Sequence, residues 1–256
     1  MKASLARKLI IFVLLLSMQI FACTNTPWHQ KQGQIFLNKG ISLIQMGEFN
    51  KAAKELLEAE KYSPDDPKIH YYLGIAYHGK GLRNHAIREF EKAISLKKDY
   101  SEAHNYLGTL YMEIRQWDMA LQEFDLALEN IFYDTPAMPL FNAGLTYYYK
   151  KDYKNALIKY ETALRKEPMT YLRPQIEKNI GIIYFDQNNI HGAILHFEQA
   201  VKLDPSLYEA RFLLGECYWR IKDLNKARKE FQAVIESSPP SSSFNQKAKS
   251  YLQSFE

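Results

Sequence analysis

Two heptads decide how this chain is read: YYLGIAY, Tyr71–Tyr77, and NYLGTLY, Asn105–Tyr111. Each carries a glycine at the same place, Gly74 in one and Gly108 in the other. Outward from them, Gly40 lies as far before Gly74 as Gly74 lies before Gly108, and Gly215 lies the same distance after Gly181. Gly144 and Gly181 continue the series at slightly longer steps. Six of the 11 glycines therefore share one phase. Twelve positions beyond each comes an alanine: Ala52, Ala86, Ala120, Ala156, Ala193 and Ala227. Four further on stands Leu56, Phe90, Phe124, Tyr160, Phe197 or Phe231, and three positions after each glycine stands Leu43, Tyr77, Tyr111, Tyr147, Tyr184 or Tyr218. Pro64, Pro168, Pro205 and Pro239 close four of the six units. A repeat of this length marks a stack of supersecondary units, none of which can bury its apolar faces alone.

The pattern resembles the tetratricopeptide repeat, a helix–turn–helix unit of about 34 residues. The resemblance implies an all-α, right-handed superhelical solenoid, with repeats over 33–66, 67–100, 101–134, 137–170, 174–207 and 208–241. Small side chains at the eighth and twentieth positions let paired helices approach closely, and that packing must offset about 1 kcal/mol for a helical glycine. Rings at the eleventh and twenty-fourth positions fill the layers between helices. Proline ends the second helix because its ring interrupts the hydrogen-bond ladder. After a short SSPPSSS linker, FNQKAKSYLQSFE carries Phe244, Ala248, Tyr251, Leu252 and Phe255 at helical spacing, and 242–256 is predicted to cap the sixth repeat. Two joints run longer than the others: NIFYDTPAMP, Asn130–Pro139, by two positions, and EPMTYLRP, Glu167–Pro174, by three.

The chain is 46% hydrophobic and 24% charged, as a globular protein is. Its net charge is +4, but Lys2, Arg7 and Lys8 supply three of those charges, so the remainder is close to neutral. That balance argues against a nucleic-acid partner. The N-terminus runs from basic MKASLARK through apolar LIIFVLLLSMQIFA to Cys23, the order of a secretory signal. The apolar run is shorter than the roughly 20 residues a membrane span needs. IFAC, Ile20–Cys23, resembles a bacterial lipobox, although Phe21 is bulky for its position. The resemblance implies a signal over 1–22, acylation of Cys23, a tether over 23–32, and anchoring at the periplasmic face of the outer membrane, since Thr24 rather than aspartate follows the cysteine. Cys217, the other cysteine, falls in an apolar-patterned helix and reads as a small buried hydrophobe.

No phosphate-binding loop, dinucleotide fingerprint, nucleophile elbow or zinc-protease motif occurs. His70 and His104 share one repeat position and read as packing rings rather than metal ligands, and His191 and His196, five apart, match no ligand spacing. The carboxylates read as solvated helix faces. No enzyme activity, metal or cofactor is expected.

In tetratricopeptide arrays the second, fifth, ninth, twelfth and thirteenth positions line a concave groove. Carried over, the resemblance implies a partner-binding stripe of Leu37, Ile41, Ile44, Tyr71, Ile75, Phe141, Leu145, Tyr148, Phe185, Phe212 and Trp219. Part of it, the ninth position above all, suits core equally well. As groove, it would take an amphipathic helix or an extended apolar segment. Leu37 and Ile41 stand where chaperone-binding repeats carry a carboxylate clamp, so that clamp is absent.

A lipobox followed by six repeats, with Tyr133, Thr135 and Pro136 ahead of the fourth, is similar to the type IV pilus assembly lipoproteins of the PilF/PilW/Tgl group. That resemblance implies a pilotin, which binds secretin subunits and promotes their outer-membrane localisation and multimerisation. A general periplasmic scaffold, for cell-wall enzymes or outer-membrane protein assembly, is the alternative.

Overall fold

The computed structural model describes residues 27–254, and among them there are 13 helices and no strand. The expected signal over 1–22 and the Ile20–Cys23 stretch that resembles a lipobox lie outside the described residues, as does Phe255. The chain divides into two compact units, Met1–Ile114 and Arg115–Glu256. The first holds α1 (Pro27–Gln45), α2 (Phe49–Tyr62), α3 (Pro67–Gly79), α4 (Arg83–Leu96) and α5 (Ser101–Glu113). The second holds α6 (Trp117–Ala127), α7 (Ala137–Tyr149), α8 (Tyr153–Lys166), α9 (Arg173–Asp186), α10 (Ile190–Leu203), α11 (Tyr208–Arg220), α12 (Leu224–Ser237) and α13 (Ser243–Gln253). Within each unit, consecutive helices pack in pairs and each pair packs on the next.

The repeat phase maps onto these pairs. A Cβ placed on Gly74 would lie 2.8 Å from the Phe90 ring, on Gly144 2.6 Å from Tyr160, and on Gly181 2.7 Å from Phe197. The eighth-position glycine thus leaves room for the twenty-fourth-position ring of its own repeat. Those rings are wholly buried, and burial stabilises by about 1.5–3 kcal/mol each. The twentieth-position alanines are buried too.

The turn inside each repeat makes a different demand. The fifteenth residue is left-handed in every repeat: Gly47 and Gly81 at φ 74°, Arg115 at 60°, Lys151 at 62°, Asn188 at 58° and Lys222 at 65°. No atom lies within 4 Å of a Cβ on Gly47 or Gly81, so there the backbone, not space, calls for glycine. In repeats four to six a side-chain cap follows: Asp152 accepts from the Asn155 amide, Asn189 from Gly192 and Asp223 from Lys226. Glu48 and Leu82, at the same place in the first unit, make no such bond.

His70 and His104 turn out to be polar latches rather than packing rings. His70 Nδ1 donates to Glu89 Oε2 at 2.9 Å and Nε2 donates to the Pro64 carbonyl at 2.9 Å. Both ring nitrogens donate, so the bonded form is the imidazolium. Burial opposes that charge, but the Glu89 and Pro64 bonds and the Glu89 charge outweigh it and hold the pKa above the ordinary 6.5. His104 Nε2 likewise donates to the Lys98 carbonyl at 3.0 Å. Arg211 repeats the arrangement, bonding Glu230 at 2.9 Å and the Pro205 carbonyl at 3.3 Å. In the fifth repeat the pair is inverted, with Glu177 accepting from His196 at 2.8 Å.

The N-terminal end departs from expectation. Residues 27–32 are the first turns of α1, not a tether. Trp28 packs on Tyr62 with ring centroids 6.0 Å apart, and that contact extends the helix. At the other end, α13 lies against α11 and α12. Tyr251 stacks on Phe231 at 4.6 Å, and Asn245 Nδ2 donates to the carbonyls of Ile235 and Ser238. Cys217 is buried in this cluster, and burial pushes its thiol pKa up to about 12, which leaves it unreactive. The two long joints leave large apolar side chains outside: Ile131 is 86% exposed, Phe132 83%, Met169 91% and Tyr171 71%. Glu167 ties them together by accepting from the Ala137 amide at 3.3 Å.

Candidate functional site

The expected stripe separates into three fates. Leu37 and Phe212 are core, a correction to their assignment to the groove. Leu37 is 1% exposed and packs with Leu56, Ile69 and Leu73. Phe212 is 2% exposed because α13 lies over it, with Phe244 at 5.4 Å and Tyr251 at 6.1 Å between ring centroids. Trp219 is flanked by the same helix, its ring 5.5 Å from that of Tyr251.

In the first unit Ile41 and Ile44 are half-buried against the core. Ile75 is half-buried as well. Tyr71 is enclosed by the protein's own rings: Tyr72 at 5.0 Å, Tyr100 at 5.1 Å, Tyr106 at 5.7 Å and Phe90 at 5.8 Å. Burial, then the neighbouring phenols, raises the Tyr71 pKa above the ordinary tyrosine range.

In the second unit Phe141, Leu145 and Tyr148 come together. They line one side of a cavity of about 280 Å³ between α7, α9 and α11, with Tyr149, Gln175, Lys178, Asn179, Ile182 and Glu209 around the rest. The helix period delivers this set: the fifth, ninth and twelfth residues of α7 and the second, fifth, sixth and ninth of repeat five face one another. Phe185 lies farther along the stripe, half-buried under the Arg220 guanidinium, 4.0 Å above its ring.

Hydrogen bonds hold the walls. Tyr148 OH donates to Asp186 Oδ2 at 3.0 Å, and burial followed by that carboxylate raises its pKa. Asn179 Nδ2 donates to Tyr160 OH at 3.2 Å, which fixes the carboxamide over a buried ring. Tyr149 stacks on Trp117 at 5.6 Å. Lys178 Nζ bonds Glu209 Oε2 at 2.6 Å, with the lysine side chain 13% exposed and the glutamate 39%. The pair makes the cavity electrically neutral and leaves the carboxylate the more solvent-facing partner. Apolar walls with a few directed polar groups suit binding by shape and hydrogen bonds. Among the described residues no three His, Cys, Asp or Glu side chains are grouped to hold a metal ion.

Sequence reasoning missed Gln175, Glu209, Tyr149 and Asn179. The first three occupy the second and thirteenth groove positions and were within reach of the repeat phase. Asn179, at the sixth, lies off the stripe and gave no signal.

Residues 40–81 match a TPR repeat model, and residues 67–100 and 179–242 match tetratricopeptide repeat models. No curated protein matches the sequence. Among solved structures, the chain is similar to PilF of Pseudomonas aeruginosa, with a TM-score of 0.76 at 16% identity over 87% of this chain and 99% of that one. It is similar to PilW, described as a widely conserved type IV pilus biogenesis factor, with a TM-score of 0.74 at 18% identity over 84% and 97%. YrrB, described as a TPR protein with an unusual peptide-binding site, gives 0.58 at 17% identity over 77% and 99%. At such identities the likeness is one of fold, the all-α solenoid of tetratricopeptide repeats.

Proposed function

We propose that this tetratricopeptide-repeat protein is a lipid-anchored scaffold at the periplasmic face of the outer membrane. In this reading it acts as a pilotin in type IV pilus biogenesis, binding secretin subunits and promoting their insertion and multimerisation. The observation that carries the reading is the extent of the likeness to PilF and PilW, with TM-scores of 0.76 and 0.74 over 87% and 84% of this chain, where YrrB gives 0.58 over 77%. The lipobox at Ile20–Cys23 supports the anchor, and the open apolar cavity beside Phe141 and Tyr148 supports a protein partner.

The test is deletion of the gene, followed by a denaturing gel for heat-resistant secretin multimers. Multimers are expected to be lost, and to return with the wild-type gene but not with Cys23→Ala. Normal multimers in the deletion strain would overturn the pilotin reading and leave the general periplasmic scaffold. A Cys23→Ala protein still in the membrane fraction would overturn the anchor.

A further inference from the structure

We propose that the cavity between α7, α9 and α11 is a receptor for one aromatic side chain carrying a hydrogen-bond donor, tryptophan or tyrosine, on the partner's segment. The proposal rests on the protein-binding reading of this site and names what that site selects.

Size comes first. A cavity of about 150 Å³ lined by apolar side chains accepts benzene, whereas sites for drug-sized ligands begin at roughly 300 Å³. The volume here, about 280 Å³, takes a phenol or an indole with its polar edge, and not a cofactor.

The lining decides the chemistry. Phe141, Tyr148 and Tyr149 offer ring faces and edges, and Leu145 and Ile182 offer aliphatic contact. A cationic anchor is disfavoured, because Lys178 already stands in the wall with its charge met by Glu209. A purely aliphatic anchor would desolvate the polar groups without replacing their water. Two of those groups keep an acceptor. Asn179 uses its Nδ2 on Tyr160, so its Oδ1 remains, and Glu209 uses Oε2 on Lys178, so its Oε1 remains. A neutral ring with an N–H or O–H satisfies walls and acceptors together, as buried tryptophan and tyrosine anchors do at interfaces.

The first unit shows why the space is open. At the sixth position of repeat three, Tyr106 stacks on Phe90 at 5.4 Å and meets Tyr71. At the sixth position of repeat five, Asn179 meets Tyr160 instead. The protein fills this place with its own ring in one unit and with a short carboxamide in the other. An aromatic anchor from a partner supplies what Tyr106 supplies in the first.

The test titrates N-acetyltryptophanamide into the full chain and follows the Leu145 and Ile182 methyl groups by NMR. Saturable shifts at these methyls are expected, with N-acetylleucinamide binding about fivefold more weakly, the fold-change of one neutral hydrogen bond. Asn179→Tyr with Tyr160→Phe transplants the first unit's rings and is expected to abolish the shifts with helix content unchanged. Should that variant fail to fold, Asn179→Leu removes one of the two acceptors and is expected to reduce the preference over leucine. Absence of saturable shifts, equal binding of the two amides, or an undiminished response in the variants would overturn the proposal. The titration is independent of the secretin gel: normal multimers with a positive titration defeat the pilotin reading alone, and lost multimers with a negative titration defeat the aromatic receptor alone.

Discussion

Tyr71 and Phe141 hold the same repeat position, and the two units use it in opposite ways. Tyr71 sits inside a cluster with Tyr72, Phe90, Tyr100 and Tyr106. Phe141 packs on Tyr160 at 5.9 Å with one side and faces an open cavity with the other. The difference lies in their neighbours, Tyr106 against Asn179 and Tyr100 against Thr170. One periodic pattern therefore produces a filled ring cluster or an open cavity according to the volume of residues beside it. The turns diverge in parallel. The first unit puts glycine at the left-handed position of its first two repeats and leaves the next helix uncapped, whereas the second caps α8, α10 and α12 and tolerates Lys151 and Lys222 there.

The largest effect should come from breaking the ring positions. Tyr71→Ala is expected to destabilise the first unit by on the order of 3 kcal/mol, read by urea denaturation. Phe141→Ala with Tyr148→Ala should leave helix content intact by circular dichroism and weaken partner binding by about 30-fold or more, as loss of a hot spot does. If the double variant unfolds, those side chains are core in both units and the comparison fails.

A smaller effect separates the units by pH. The His70 pKa is raised above 6.5, so its charged bond to Glu89 stabilises the fold fully below that value and is lost as pH rises through the raised pKa. The melting temperature should therefore fall over that window relative to His70→Gln, whose profile should be flatter there. Parallel profiles would remove the latch from the account of stability.

The smallest effect sharpens the turns. Lys151→Gly and Lys222→Gly should each stabilise by about 0.5–1 kcal/mol, since a left-handed lysine costs about 1–2 kcal/mol and glycine returns part of that in chain entropy. Destabilisation would mean that the lysine side chains, 5.9 Å above Tyr148 and 5.1 Å above Trp219, contribute more than the backbone loses.

Much of this architecture was legible beforehand, because a period imposed by packing is written at every turn of the repeat. Gly74 with Phe90 and Gly144 with Tyr160 needed only their spacing to be found. Gly47 and Gly81 were visible as a second pair one full period apart, but Arg115, Lys151, Asn188 and Lys222 conceal the same left-handed requirement, since any side chain can adopt it at a cost. A third of the cavity lining was anticipated, in Phe141, Leu145 and Tyr148. Leu37 and Phe212 were assigned to the same surface and are buried, the latter because α13 takes the place of a seventh repeat's first helix. Residues 27–32 read as tether because a proline and few apolar residues hid a helix that Tyr62 completes.

Periodicity is a local property. Helix pairing, the glycine–ring contacts and the all-helical class follow from residues less than one repeat apart, so composition and spacing sufficed for them. Which stripe positions stay open depends on side chains in neighbouring repeats. Asn179 in place of Tyr106, α13 over Phe212, and Lys178 meeting Glu209 across two helices all involve partners that spacing alone does not pair. The cavity exists because of a volume that is missing, and missing volume shows only once the neighbouring helices have been packed.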